Sequence, residues 1–402
     1  MKRLLSAAIA LAISLGTPAC TSVIVSGKVT PDGRPLMLKN RDADDLDNVV
    51  VMVQGERYRF VGIVATADTR MENVWSGHNE KGFAIFNTDA FNLNGKDKPA
   101  VENDGRVMRR ALEICATVAD FEHLLDTLAR PMHLDSNFGV MDAQGNCAYY
   151  ETGNTHYTKF DVNDPTTAPY GYLVRTNHAM TGDRSLDQGI ERYMAISDLM
   201  TQAAFAGAID RDLLLRKATR QLTNGMTKTN LYDTMPQTDE GMKMVPYTDF
   251  ISRYYTASAD VIQGVRPGED PRLTISWTII GCPLTTVAVP LVITPSGKLP
   301  AVVTRNAEGF SALCHYGLEA KKALYPMTRG NGLNYINLPK LINRQGTGTI
   351  QRLEPIETEL IRRGETVIGE LRKDAGNDKA LKALDEYYNW ADAFIRNRLM
   401  QP

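Results

Sequence analysis

Cys20-Thr21-Ser22-Val23-Ile24-Val25 is rich in β-branched residues, and Thr30-Pro31-Asp32-Gly33 then leads into Pro35-Leu36-Met37-Leu38. β-Branched side chains favour extended backbone and Pro-Asp-Gly favours chain reversal, so this stretch predicts a β-hairpin. In front of it stand Met1-Lys2-Arg3, an apolar run from Leu4 to Leu15, and Gly16-Thr17-Pro18-Ala19. A charged start, a short apolar core and a small residue at the junction are the layout of a secretory signal over residues 1–19. The apolar run falls short of the ~20 residues a spanning helix needs, and no later stretch approaches that length. The expectation is a secreted or periplasmic mature chain that starts at Cys20 and has no membrane span.

Outward from the hairpin, strands are predicted at Val49 to Val53, Tyr58 to Ala65, Gly82 to Asn87, Phe138 to Met141, Ala148 to Glu151 and Tyr172 to Arg175. Later ones are predicted at Leu273 to Ile280, Thr285 to Ile293 and Ala301 to Thr304. Helical periodicity marks Val107 to Ala116, Asp120 to Ala129, Gly189 to Ala203 and Asp210 to Leu222. Strand runs interrupted by paired helices, with no β-α-β rhythm, predict an α+β fold. From Ile356 onward the chain reads as wholly helical, with Leu381, Leu384, Tyr388, Ala391, Ile395 and Leu399 on one face. The expected organisation is a domain over 20–350 carrying a packed helical extension over 351–402.

Composition narrows the partners. The formal charge is −2 and becomes more negative once Lys2 and Arg3 leave, which favours neither nucleic acid nor an anionic membrane. Hydrophobic residues make up 43% of the chain, enough to bury a large core. The five cysteines, Cys20, Cys115, Cys147, Cys282 and Cys314, include no CxxC pair and no short Cys/His spacing, so no metal site is expected. In an oxidising compartment an odd count leaves one thiol unpaired, and Cys20 is the natural candidate; whether the other four pair is open. No cofactor loop is present, and self-association is left open.

A cysteine that begins a chain carries a thiol and a free α-amine on one residue, with ordinary pKa values of about 8.5 and about 7.7 to 8.0. The amine can therefore serve as the base for its own thiol, without a histidine. Two other readings stand beside this one. Cys20 could be a small buried hydrophobe, or the acylated residue of a lipoprotein, which would block the amine. Against lipidation, Thr17-Pro18-Ala19 lacks the leucine-like residue lipoprotein signals place three positions upstream, and strand residues follow at once where a tether needs a linker.

Cys20-Thr21-Ser22, then Asn40-Arg41-Asp42, Asn79-Glu80-Lys81-Gly82-Phe83 leading to Asn87, and Arg175-Thr176-Asn177-His178 together resemble the cysteine N-terminal-nucleophile hydrolases. Within them the chain is similar to the acyl-coenzyme A:6-aminopenicillanate acyltransferase-like proteins (peptidase family C45), with choloylglycine hydrolases and penicillin V acylases as cousins. The resemblance spans Cys20 to about Arg253. It implies a four-layer αββα sandwich of two antiparallel sheets with helices outside. It also implies nucleophilic attack by Cys20 on an amide of a small N-acyl substrate, through a thioester acyl-enzyme.

By the same resemblance Asp42 orients the α-amine, against a reading as part of the acidic turn Asp42-Ala43-Asp44-Asp45. Relatives carry an arginine close to the nucleophile; here Lys39 aligns best and Arg41 sits beside the aspartate, and which of them takes the early basic role is open. Asn177 and Asn87 are candidate oxyanion donors, with turn asparagines as the alternative. Arg253, in Ile251-Ser252-Arg253-Tyr254, resembles the late arginine of the choloylglycine hydrolases, with Arg192 or a surface ion pair as alternatives. Asn79 and His178 are supporting residues, His178 shaping the pocket beside Asn177. Acyl transfer at the same site and a lipid-anchored, non-catalytic binding protein are the competing functions.

Overall fold

The structure, a computed structural model, describes residues 19–98 and 103–401. Residues 1–18 of the expected signal lie outside the described residues. The hairpin is present: β1 (Thr21–Val25) pairs antiparallel with β2 (Leu36–Asp42), with Val23 opposite Leu38. Alternation gives it two faces. Val23, Val25, Leu36 and Leu38 join a core with Ile196 and Met200. Ile24 and Met37 join another with Phe86, Met141 and Tyr149. Cys20 and Ser22 share the parity of Ile24, and Lys39 and Arg41 that of Met37.

The chain continues as β3 (Asn48–Gln54), β4 (Arg59–Ala65), β5 (Ser76–Asn79) and β6 (Ala84–Asp89). After the helices α1 (Asp104–Ile114) and α2 (Val118–Thr127) come β7 (Ser136–Met141), β8 (Cys147–Thr152) and β9 (Tyr157–Asp161). β3 to β9 form a seven-stranded antiparallel meander in chain order. Then follow β10 (Tyr172–Arg175), α3 (Ile190–Phe205), β11 (Met244–Pro246), β12 (Thr256–Gln263), β13 (Ile275–Ile280) and β14 (Ala288–Val292). The chain ends with α4 (Ala312–Leu324), β15 (Tyr335–Asn337), α5 (Leu338–Leu341), α6 (Thr349–Lys373) and α7 (Asp378–Arg398). The second sheet is antiparallel, ordered β10-β1-β2-β12-β13-β14, and β11 pairs with β15 as a separate ribbon.

Four layers result. Val107, Met108, Phe121 and Leu125 of α1 and α2 pack on Ile85 and Phe138 of the seven-stranded sheet. Ile196 of α3, Leu360 and Ile368 of α6 and Tyr388 of α7 pack with Val261, Trp277 and Leu291 of the other sheet. Between the sheets lie Ile24, Met37, Phe86, Met141, Tyr149 and Ile262. Each such buried Leu, Ile or Phe contributes about 1.5–3 kcal/mol relative to exposure. The expected α+β, αββα architecture is therefore the one observed.

Four local expectations change. Ala301 to Thr304 is a turn: Asp392 takes the Ala301 and Val302 N–H groups at 2.8 and 2.9 Å, leaving the Val303 carbonyl to accept from Val50 at 2.9 Å. Within Asp210 to Leu222 the helix is wound as a π-helix over Leu213–Ala218. The C-terminal segment, expected to be wholly helical, is interrupted at 374–377, where the Asn377 side chain caps α7; its first helix begins at Thr349. Within the two large sheets three strands are additions: Ser76–Asn79, Tyr157–Asp161 and the central Thr256–Gln263. Their polar residues hide the apolar alternation that marks a strand.

Candidate active site

Because β1 starts at Thr21, Cys20 is held at the mouth of a central strand, joined to Ala19 by a peptide bond and 5% exposed. Its Sγ lies 3.9 Å from the Asp42 carbonyl oxygen. On the same inner face Lys39 is buried and donates to Asn87 Oδ1 at 2.6 Å and to the Trp75 carbonyl at 2.8 Å. Burial pushes the Cys20 thiol up; the Lys39 charge opposes this, and Asp89 and Asp42 add to it. Burial likewise pulls Lys39 down to about 8. Arg41 lies over the Trp75 ring at 4.8 Å and donates to Asn48 Oδ1 at 3.0 Å. Lys39, not Arg41, thus makes the side-chain contact that reaches toward the β6 end of the site.

Asp42 and Asn40 point to the opposite face of β2. A register shift between Thr256 and Ser258 places Thr256 opposite Asp42. The Asp42 carboxylate accepts from Thr256 Oγ1 and from Arg253 Nε, both at 2.6 Å. Arg253 Nη2 also reaches the Ala19 carbonyl at 3.3 Å. Arg192 Nη1 donates to the carbonyls of Ala19 at 3.0 Å and Cys20 at 2.5 Å and to Thr21 Oγ1 at 3.1 Å, while its Nη2 holds Asn177 Oδ1 at 3.0 Å. The two arginines that the sequence offers as alternatives stand together around the Ala19–Cys20 peptide. Burial, then the charge of Arg253, draws Arg192 down to about 10.

Asn177 follows β10 and is fixed on both sides, by Arg192 and by its own Nδ2 donating to the Asp89 carbonyl at 3.1 Å. Asn87 lies elsewhere: it shares the parity of Ile85, and its Nδ2 serves Asp104, Ser136 and Asp89 at 3.0, 3.2 and 3.3 Å. Its link to the site is through Lys39. Asn79 ties the β5–β6 turn to the end of α1, donating to the Leu112 and Cys115 carbonyls and accepting from the Lys81 and Phe83 N–H groups. His178 is buried with Nδ1 3.0 Å from the Gln188 carbonyl and 3.2 Å from Thr176 Oγ1, edge-on to Tyr193. Sequence reasoning missed Thr256 and Asp89. Thr256 is invisible without the register shift; Asp89 enters through its backbone carbonyl, which takes Asn177 Nδ2, and through its charge, and no motif carries either.

Among the described residues no group of three His, Cys, Asp or Glu side chains could hold a metal ion, and none of the five cysteines is in a disulfide. No helix among them is long and apolar enough to cross a membrane.

Two antiparallel sheets face to face between helix layers form a four-layer αββα sandwich, with the Cys20 thiol at the mouth of a central strand. The chain belongs to the acyl-coenzyme A:6-aminopenicillanic acid acyl-transferase family, which it matches over residues 29–230. That span includes Lys39, Asp42, Asn177 and Arg192 and excludes Cys20 and Arg253. No curated protein matches the sequence. Among solved structures, a mutant conjugated bile acid hydrolase from Clostridium perfringens is 11% identical with a TM-score of 0.41, covering 68% of this chain and 92% of its own. Penicillin V acylase from Agrobacterium tumefaciens is 13% identical with a TM-score of 0.37, covering 69% and 87%.

Proposed function

We propose that the protein is a secreted hydrolase of linear amide bonds in small N-acyl compounds, with Cys20 as nucleophile once residues 1–19 are removed. The observation that carries this is the ring of polar groups around the Ala19–Cys20 peptide: Lys39 on the thiol side, and Arg192, Arg253 and Asn177 on the carbonyl side. Cleavage frees the Cys20 amine. Asp42 is held by Arg253 and Thr256, and the freed amine, in its neutral form, serves as the base. It takes the thiol proton as sulfur bonds to the acyl carbon. The C–N bond then breaks, the proton passes to the leaving amine, and a thioester remains. Water attacks that thioester, giving the acid and restoring the thiol.

Asn177 is the proposed oxyanion donor, and Asp42 the group that orients the amine through its two partners. The family name supports a second reading, in which an amine replaces water as the acyl acceptor at the same thioester. The decisive experiment is mass spectrometry of the exported protein, alone and after incubation with a panel of N-acyl amines. The expected result is an unmodified Cys20 start and an acyl adduct on Cys20 that Cys20→Ala lacks. A lipid-modified Cys20, a start elsewhere, or an adduct surviving Cys20→Ala would overturn the reading. Added amines that divert the acyl group would favour transfer over hydrolysis.

A further inference from the structure

Lys321 is 2% exposed and sits in α4, beyond the segment that matches the family. Among the described residues its ammonium has no carboxylate within ion-pair distance. It donates instead to the backbone carbonyls of Tyr254 at 2.7 Å and Thr256 at 2.9 Å, and lies 5.5 Å from the centre of the Tyr254 ring. The thiols of Cys282 and Cys314 and the carboxylate of Asp42 are the other ionisable groups that face it. An ammonium is costly to bury unless hydrogen bonds compensate it. What the charge obtains there is a hold on one short turn.

That turn carries both side chains that grip Asp42. Thr256 N–H donates to the Arg253 carbonyl at 3.0 Å, Arg253 N–H to Thr256 Oγ1 at 2.9 Å, and the Tyr255 carbonyl takes the Ala43 N–H at 2.9 Å. The turn coincides with the register shift that brings Thr256 opposite Asp42. The same helix reaches the neighbouring cation too, since Cys314 Sγ is 3.4 Å from the Asn48 N–H and Asn48 accepts from Arg41. We propose that Lys321 is a positioning residue, which sets the reactivity of Cys20 by fixing the Arg253–Thr256 turn on Asp42. The proposal rests on Cys20 being the nucleophile.

The test needs no known substrate. Alkylation of Cys20 by iodoacetamide in the mature protein is followed by peptide mass spectrometry from pH 6 to 10, in wild type, Lys321→Met, Lys321→Gln, Thr256→Val and the Lys321/Thr256 double variants. Lys321→Met is expected to shift the pH midpoint by about one unit, about tenfold in rate at fixed pH. Lys321→Gln, which keeps an N–H donor, recovers part of this. Groups that act through one another are not additive, so each double variant should differ from Thr256→Val alone by less than about twofold. Wild-type profiles in folded Lys321→Met and Lys321→Gln, or losses that multiply in the double variants, overturn the proposal. Should Lys321→Met not fold, the glutamine variants decide by the same criteria. A wild-type Cys20 no faster than a free cysteine peptide overturns the nucleophile reading, and this proposal with it, and is distinguished by appearing without any substitution.

Discussion

At the scale of single residues, the roles around Cys20 separate by what each group touches. Asn177 is held by Arg192 and the Asp89 carbonyl, a rigid donor of the kind an oxyanion needs. Asn177→Ala should therefore reduce turnover about 10²- to 10³-fold, yet leave iodoacetamide capture of Cys20 intact. Equal loss of both would contradict the division. Lys39 acts on the sulfur by charge: it favours the thiolate, and burial brings its own proton loss down to about 8. Its help is present below that pH and fades above it. Lys39→Met should move the midpoint of Cys20 alkylation upward by at least about one unit, the usual size for a nearby opposite charge. An unchanged midpoint would place the ammonium's influence elsewhere.

At the scale of elements, the spacing of the two sheets and the polar layer between them are separately testable. Gly139 of β7 is paired with Phe86 of β6. A Cβ there would run into the Phe86 ring, and would also meet Ile24 of the opposite sheet at 3.0 Å. Gly139→Ala should cost about 1–3 kcal/mol as overpacking, read from urea unfolding. Farther along the same space, Asp260 accepts from Ser76 at 2.7 Å and Thr278 at 2.8 Å, and His78 Nδ1 lies 2.9 Å from Ser276 Oγ. Burial lowers His78 to about 3 and raises Asp260 to about 6. Folded His78 thus refuses a proton that the unfolded chain accepts, and its share of stability falls as pH drops from about 6.5 toward 3. Folded Asp260 keeps a proton that the unfolded chain releases, so its share falls as pH rises from about 4 to 6. The two slopes oppose each other between pH 4 and 6. Relative to wild type, Asp260→Asn should add a rise of about 1.4 kcal/mol per pH unit and His78→Gln a fall of the same order. Urea midpoints at pH 4, 5 and 6 decide; parallel curves for all three proteins would refute it.

At the scale of the molecule, the C-terminal helices are joined to the sandwich by a buried ion pair as well as by packing. Glu357 of α6 accepts from Arg220 at 2.6 and 2.8 Å and from the Ala288 N–H that opens β14 at 2.9 Å. Arg220 also donates to the Pro283 and Thr286 carbonyls, so it cannot follow its partner out. Glu357→Gln keeps the shape and removes the charge, leaving a buried guanidinium uncompensated. The expected loss is about 3–5 kcal/mol of unfolding free energy. A loss under about 1 kcal/mol would mean that water reaches the pair.

What the sequence determined by itself is the part written in local chemistry. The β-branched run from Thr21 to Val25 and the Pro31-Asp32-Gly33 turn specify the hairpin that holds Cys20. The apolar faces of the helices, and strands such as Asn48–Gln54 and Arg59–Ala65, specify layers that must be buried against one another. Cys20, Asp42 and Asn177 stand out as candidates because short motifs carry them. Tertiary structure decided everything that depends on a partner distant in the chain. Thr256–Gln263 reads as polar because its inward Asp260 meets hydroxyls of the neighbouring strands, and only the register shift at its start brings Thr256 to Asp42. Parity along β6 turned Asn87 toward α1 and left it linked to the site through Lys39. Arg192 and Arg253, 61 positions apart, meet at one peptide because α3 and the turn before β12 pack on the same end of β1. A chain folded by burial of apolar faces encodes those faces locally, whereas hydrogen-bond partners across the sandwich exist only after the layers have closed.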